Sequence, residues 1–221
     1  MSINKIKKLA EELYDEVVHV RRHLHSYPEL SFEEYETSRY VQRKLSEYGV
    51  DFSNGIAGTG VVALVKGKNP DRKTIALRAD MDALPIQEAN DVPYRSKHPG
   101  KMHACGHDVH TASLLGACKI LHDLREEFDG TVKFIFQPGE ERAPGGASLM
   151  IKEGVLEDPA PAGIIGQHVY NLLPAGTVGF RPGMMMASCD EIDLYVRGRG
   201  GHGAVPQLSV DPVAISAQII T

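Results

Sequence analysis

One thiol, three imidazoles and a carboxylate fall within the run Met102-His103-Ala104-Cys105-Gly106-His107-Asp108-Val109-His110. Thiolate and imidazole are the donors that zinc-like ions prefer, and a turn running into a helix can hold them rigidly. An ordinary polar turn with a buried structural cysteine is the plainer alternative. It accounts less well for three histidines crowded around one thiol. Glu140 and Glu141 are adjacent, follow an apolar run and are boxed in by Pro138-Gly139 and Pro144-Gly145-Gly146. Such an acid pair can divide two tasks, one holding a metal and the other moving protons, although solvated acid pairs in loops are common. Asp80 and Asp82 close another apolar run, either as site carboxylates or as the acids of a capped turn. His168 stands at the end of the apolar run 163–167 and is weak as a signal by itself. His23 and His25 fit a helix C-terminus, where histidine complements the dipole.

These groups need elements to bring them together. Leu114, Cys118 and Leu121 form one helical stripe directly after the Cys/His run, with Ala117, Ile120 and Leu124 beside it, and Asp108 is placed to cap free backbone donors. Ile3, Ile6, Ala10, Leu13, Val17, Val20 and Leu24 predict a single long first helix stopped by Pro28. Ser31 with Glu34 reads as a capping box for a second helix that ends at Gly49. Strands are expected at 60–65, 74–79, 131–137 and 163–167, with a short helix over 147–152. Gly58-Thr59-Gly60 imitates a dinucleotide fingerprint but leads into a strand rather than a helix, so it is rejected. Strands alternating with helices imply an α/β fold with a doubly wound, mainly parallel sheet. Its ligands belong at the carboxyl ends of the strands, where Asp82, Glu140, Glu141 and His168 converge and the Cys105/His107 loop can join them.

After residue 186 the pattern changes. Ile192, Leu194 and Val196 alternate with polar residues, as in a half-exposed strand of a different sheet. A glycine-rich stretch around His202 follows, then a helix begun by Asp211-Pro212. Pro182-Gly183 and the methionines at 184–186 mark the connection. Residues 1–185 are expected to form a catalytic domain and 186–221 the start of a smaller α+β domain, with the chain reading as interrupted at Thr221. Among 221 residues, a net charge of −5 without a basic run argues against nucleic acid. No apolar run reaches bilayer length, no membrane partner is expected, and Met1-Ser2-Ile3-Asn4-Lys5 lacks the apolar core of a signal peptide. Three scattered cysteines, at 105, 118 and 189, form no disulfide framework and fit a reducing cytoplasm.

Together, six stretches resemble the M20 metallopeptidase family, in its aminoacylase and hippurate-hydrolase-like branch. They are Arg22-His23-Leu24-His25 with Pro28-Glu29-Leu30, Asp80–Pro85, Met102–Asp108, Gln137–Glu141, Gln167-His168-Val169 and Gly200–Ala204. The resemblance implies a zinc-exopeptidase-like catalytic domain with two divalent ions, zinc first and manganese, cobalt or nickel as alternatives. It implies Cys105, His107, Glu141 and His168 as ligands and Glu140 as general base and acid. A further ligand histidine would lie beyond Thr221. Asp82 would orient a ligand or hold its protonation state. The smaller domain would be a lid that pairs subunits into a homodimer and carries His202 to a neighbouring site as an oxyanion donor. The implied activity is hydrolysis of N-acyl amino acids, with a dipeptidase or other exopeptidase as the alternative within the family. A cysteine hydrolase using Cys105 with His107, and a non-catalytic metal-binding or subunit-docking module, are the rival readings.

Overall fold

The computed structural model describes residues 2–187, 190 and 192–221, which divide into two compact units, Met1–Leu172 and Leu173–Thr221. The connection expected near residue 186 falls within the second unit, and Cys189 lies outside the described residues.

Unit one is built on strands β1 (Phe52–Ile56), β2 (Gly60–Lys66), β3 (Thr74–Asp80), β4 (Thr131–Gln137) and β5 (Ile164–Gly166), ordered β1-β2-β4-β3-β5. β4, β3 and β5 run parallel, with Asp80 opposite Gln137 and Arg78 opposite Gly166. β2 pairs antiparallel with β4, and β1 antiparallel with β2. The sheet is therefore parallel where the candidate residues emerge and antiparallel at the other edge. For β1 and β2 the tight turn at 57–59 allows nothing else, because a parallel partner needs a long crossover. β1 had no signature in the sequence: Phe52-Ser53-Asn54-Gly55-Ile56 is polar and glycine-containing, and its pairing to β2 alone makes it a strand.

Both faces are covered. Alternate residues of β2 and β4 (Val61, Ala63, Phe134, Phe136) pack with Val20, Val41, Leu45, Leu115 and Cys118 of the helices on one side. Val62, Ala76 and Ile135 pack with Met150 and Val155 on the other. The helices are α1 (Ile3–Glu12), α2 (Tyr14–Ser26), α3 (Tyr35–Tyr48), α4 (His107–Asp123) and α5 (Gly146–Lys152). The single first helix expected from periodicity is divided at Leu13. α1 buries no residue, whereas α2 buries Val20 and Leu24, so only the second half of the apolar stripe is held by the core.

The capping box does not form. Glu34 is the α3 N-cap but makes no capping bond, and the Ser31 hydroxyl donates to Asp82 Oδ2 at 2.6 Å. The free amides of Glu36 and Thr37 instead donate to the Glu29 carboxylate, at 3.2 and 2.8 Å. Gly49 does close α3 in the left-handed conformation, at φ 72°.

In the second unit α6 (Pro212–Ile220) begins as expected, with Asp211 Oδ1 accepting from the Val213 amide at 2.9 Å. Arg199 and Val210 form an isolated antiparallel bridge. The strand expected over 192–197 does not form among the described residues, since alternation alone cannot make a strand without a ladder partner. No helix among the described residues is long and apolar enough to cross a membrane.

Candidate metal centre

The site assembles where the parallel strands end. β3 delivers Asp80 and, two residues on, Asp82; β4 runs into Pro138-Gly139-Glu140-Glu141; β5 leads to His168. α4 opens with His107, behind Gly106 at φ 86°. Asp108 accepts from the Val109 amide at 2.9 Å, while its other oxygen takes His25 Nδ1 at 2.7 Å and Arg21 Nε at 2.9 Å. His25 is thus committed to carboxylates, bonding Glu88 at 3.1 Å with its second nitrogen. His23 stacks on Tyr40 with ring centroids 4.1 Å apart.

His107 sits at the centre of the donors. Its Nδ1 donates to the Asp82 carbonyl at 2.8 Å, with Asp82 Oδ1 at 3.3 Å, so the lone pair is on Nε2. That Nε2 is buried without a hydrogen-bond partner, and so is Glu141 Oε1, 3.7 Å away. Glu140 Oε2 lies 3.9 Å from the same nitrogen. One donor atom from each of Cys105, His107 and His168 lies within 4.8 Å of the others, and the same holds for His107, Glu140 and Glu141. His168 Nδ1 donates to the Val169 carbonyl at 2.7 Å, leaving Nε2 as the lone pair, 3.3 Å from Cys105 Sγ. Thiol, two imidazole lone pairs and two carboxylates thus face one another, with two buried atoms left unsatisfied. Buried polar atoms are seldom left so, and these fit divalent cations.

Electrostatics lead to the same fit. Burial and the Glu141 carboxylate push the Cys105 thiol up to about 12, far from the thiolate that a cysteine nucleophile or a ligand needs. A cation is what would reverse that balance, and a free nucleophilic Cys105 is disfavoured. Burial and then Glu141 also raise the Glu140 carboxyl. Burial opposes protonation of His107, but Asp82 and Asp80 outweigh it and raise its pKa.

A third group, Asp80, His107 and His110, is as compact but differently engaged. Asp80 Oδ1 takes His110 Nδ1 at 2.7 Å, Oδ2 takes Arg78 at 2.7 Å, and His110 Nε2 accepts the Val169 amide at 2.9 Å. With these atoms occupied, it is a hydrogen-bonded brace rather than a donor set.

Asp82 touches His107 as described, and its Oδ2 also accepts the Glu141 amide at 2.9 Å. Ser31 and Glu34, which sequence patterning assigned to a helix cap, belong here: the fully buried Glu34 carboxylate accepts from Thr59 Oγ1 and the Gly139 amide, each at 2.7 Å. The Ser-x-x-Glu pattern masked them. His110 could have been found from its i+3 spacing to His107, which puts both on one helix face. His202 belongs to the second unit, where its Nδ1 accepts the Ala204 amide at 3.1 Å and Nε2 is left to carry the proton.

A Cys, His and carboxylate donor set at the carboxyl edge of parallel strands lies where open α/β sheets place their ligand sites. The chain belongs to peptidase family M20/M25/M40, whose family model matches residues 76–219. It is 44% identical over 221 residues to an N-acyl-L-amino acid amidohydrolase of Geobacillus stearothermophilus, covering 100% of this chain and 59% of the relative. It is 42% identical over 219 residues to thermostable carboxypeptidase 1 of Saccharolobus solfataricus, covering 98% and 55%. A Bacillus subtilis crystal structure, described as a dinuclear metal-binding peptidase of the M20 family, superposes with a TM-score of 0.74 at 44% identity, covering 78% of this chain and 48% of that one. The chain spans about half the length of these relatives.

Proposed function

We propose that the whole protein hydrolyses the amide bond of N-acyl amino acids, with two divalent ions, zinc first, held by Cys105, His107, Glu141 and His168. The observation that carries this reading is the pair of buried, unpartnered atoms, His107 Nε2 and Glu141 Oε1, facing Cys105 and His168. When bound, such ions polarise an acyl carbonyl and acidify water. Glu140 is the proton carrier: its partly exposed carboxyl takes a proton from water as it attacks the acyl carbon, then returns it to the departing amine. A carboxyl raised by burial and by Glu141 suits both halves of that task, being a stronger base than an ordinary glutamate. Asp82 holds His107 in the tautomer that presents Nε2 and, through the Glu141 amide, fixes the acid pair against it. His202, with its proton on Nε2, is assigned to the developing oxyanion of a neighbouring subunit in a homodimer, where each such donor is worth roughly 3–4 kcal/mol.

The similarity to a carboxypeptidase at 42% identity keeps peptide cleavage as the second reading. N-acetyl and N-benzoyl amino acids and blocked dipeptides, assayed with the full-length protein before and after chelation, separate the two. Glu140→Gln should retain metal by elemental analysis while losing turnover by about 10²-fold or more. Near-parental turnover in that variant would overturn the role given to Glu140.

A further inference from the structure

His110 is buried beside the donor set with both ring nitrogens engaged. A backbone N–H can only donate, so His110 Nε2 accepts from Val169 and the ring proton lies on Nδ1, directed at Asp80. Asp80 is immobilised in turn by Arg78, whose Nε donates to Gln137 at 2.9 Å. One imidazole therefore connects the rigid end of β3 to a residue 59 positions beyond His110, past the last paired residue of β5. Val169 is also the residue that orients His168, by accepting its Nδ1 proton. The Val169 side chain is held from the other side as well: a Cβ on Gly106 would come within 2.4 Å of Val169 Cγ2, so glycine leaves the room Val169 needs.

We propose that His110 is a positioning residue: by holding the Val169 N–H it fixes the peptide that joins His168 to Val169, and with it the backbone from which the His168 ring turns Nε2 toward Cys105 and the metal-ligand cluster. The inference rests on the reading of His168 as a ligand.

The test separates the two nitrogens of the ring. In His110→Asn the amide nitrogen can replace Nδ1 and keep the Asp80 bond, but nothing accepts the Val169 amide. In His110→Gln the amide oxygen reaches the Nε2 position and can accept it. Cobalt(II) is the probe, with affinity and stoichiometry measured on the full-length protein by chelator competition, alongside His168→Ala. Losing an outer hydrogen bond to a ligand typically costs 10–100-fold in metal affinity. His110→Asn should weaken cobalt by about that factor, and His110→Gln should stay within about threefold of the parent on the same scale. Parental affinity in His110→Asn, or equal losses in Asn and Gln, with His168→Ala weakened, overturns the positioning role alone. Parental affinity in His168→Ala overturns the ligand reading and the inference with it. A measurement on the unaltered protein covers variants that fail to fold. Nitrogen-15 NMR of the metal-free chain should show His110 protonated on Nδ1 only; a proton on Nε2 overturns the proposal.

Discussion

Replacing Asp82 by Asn tests how the site is held together, because the substitution changes one atom and spares the shape. Ser31 Oγ and the Glu141 amide both donate to Oδ2, at 2.6 and 2.9 Å. An asparagine whose oxygen occupies that position keeps both bonds, but as neutral rather than charge-assisted ones. The difference is about 1 kcal/mol per bond, giving a destabilisation of roughly 2 kcal/mol. In a domain of this size that amounts to about 4–8 °C in Tm. The amide NH2 then occupies the Oδ1 position, 3.3 Å from His107 Nδ1, so donor faces donor. His107 keeps its proton on Nδ1, because the Asp82 carbonyl at 2.8 Å still accepts it, but the ring loses the neighbouring carboxylate that makes Nε2 a stronger electron donor. Metal affinity should fall about 10–100-fold, equivalent to roughly 1.4–2.7 kcal/mol. Thermal melting of the metal-free full-length protein gives the first number, and chelator-competition titration gives the second. A variant with the parental metal affinity and the expected loss of Tm would refute the claim that the Asp82 carboxylate strengthens His107 as a ligand.

Cys105→Ala should reduce bound metal per chain by elemental analysis rather than only slow turnover; parental stoichiometry and affinity would remove Cys105 from the ligand set. Glu29→Ala removes the acceptor of the Glu36 and Thr37 amides and should cost about 1 kcal/mol, about 2–4 °C in Tm, with an unchanged Tm arguing that water replaces the cap. In the metal-free protein, acid should weaken the fold through Asp80. Burial raises its pKa, but the His110 hydrogen bond and the Arg78 charge outweigh burial and hold it at about 2, against 3.8 for an ordinary aspartate. A depressed pKa stabilises above the unfolded value and loses that contribution as pH falls through the folded one, so about 2 kcal/mol should disappear between pH 4 and 2. Asp80→Asn should flatten denaturant-derived stability across that interval, and an unchanged slope would show that Asp80 is not held there.

How much of this was legible depended on whether a pattern had one physical meaning. The parallel strands were readable because buried runs such as Val132–Phe136 bounded by Gly130 and Pro138 have few other uses. The Cys105-x-His107 turn was readable because few structural roles need that density of donors. Ser31 and Glu34 were misassigned because Ser-x-x-Glu before an apolar helix has two outcomes of similar local energy. Contacts to Asp82, Thr59 and Gly139, remote in sequence, decide between them. The break at Leu13 was hidden because periodicity records which residues could be buried, whereas α1 buries none. β1 left no trace because an edge strand owes its existence to its neighbour's free edge, not to its own composition.

The Glu34 carboxylate and the Gly139 amide are separated by 105 positions in the chain, and Glu34 is buried only because both sides of that contact are present. Contacts of such long sequence separation are slow to form, because the chain between them loses its freedom before they repay it. During synthesis, which adds about 5–20 residues per second, the acid pair at 140–141 follows Glu34 by roughly 5–20 seconds on that scale. Until then Glu34 has neither its Gly139 partner nor a completed sheet to bury it. With the proposed ligand set, an ion arriving early would meet Cys105 and His107 alone, without the carboxylates or His168. With that set, the nascent chain should not bind metal tightly until residue 168 has left the ribosome.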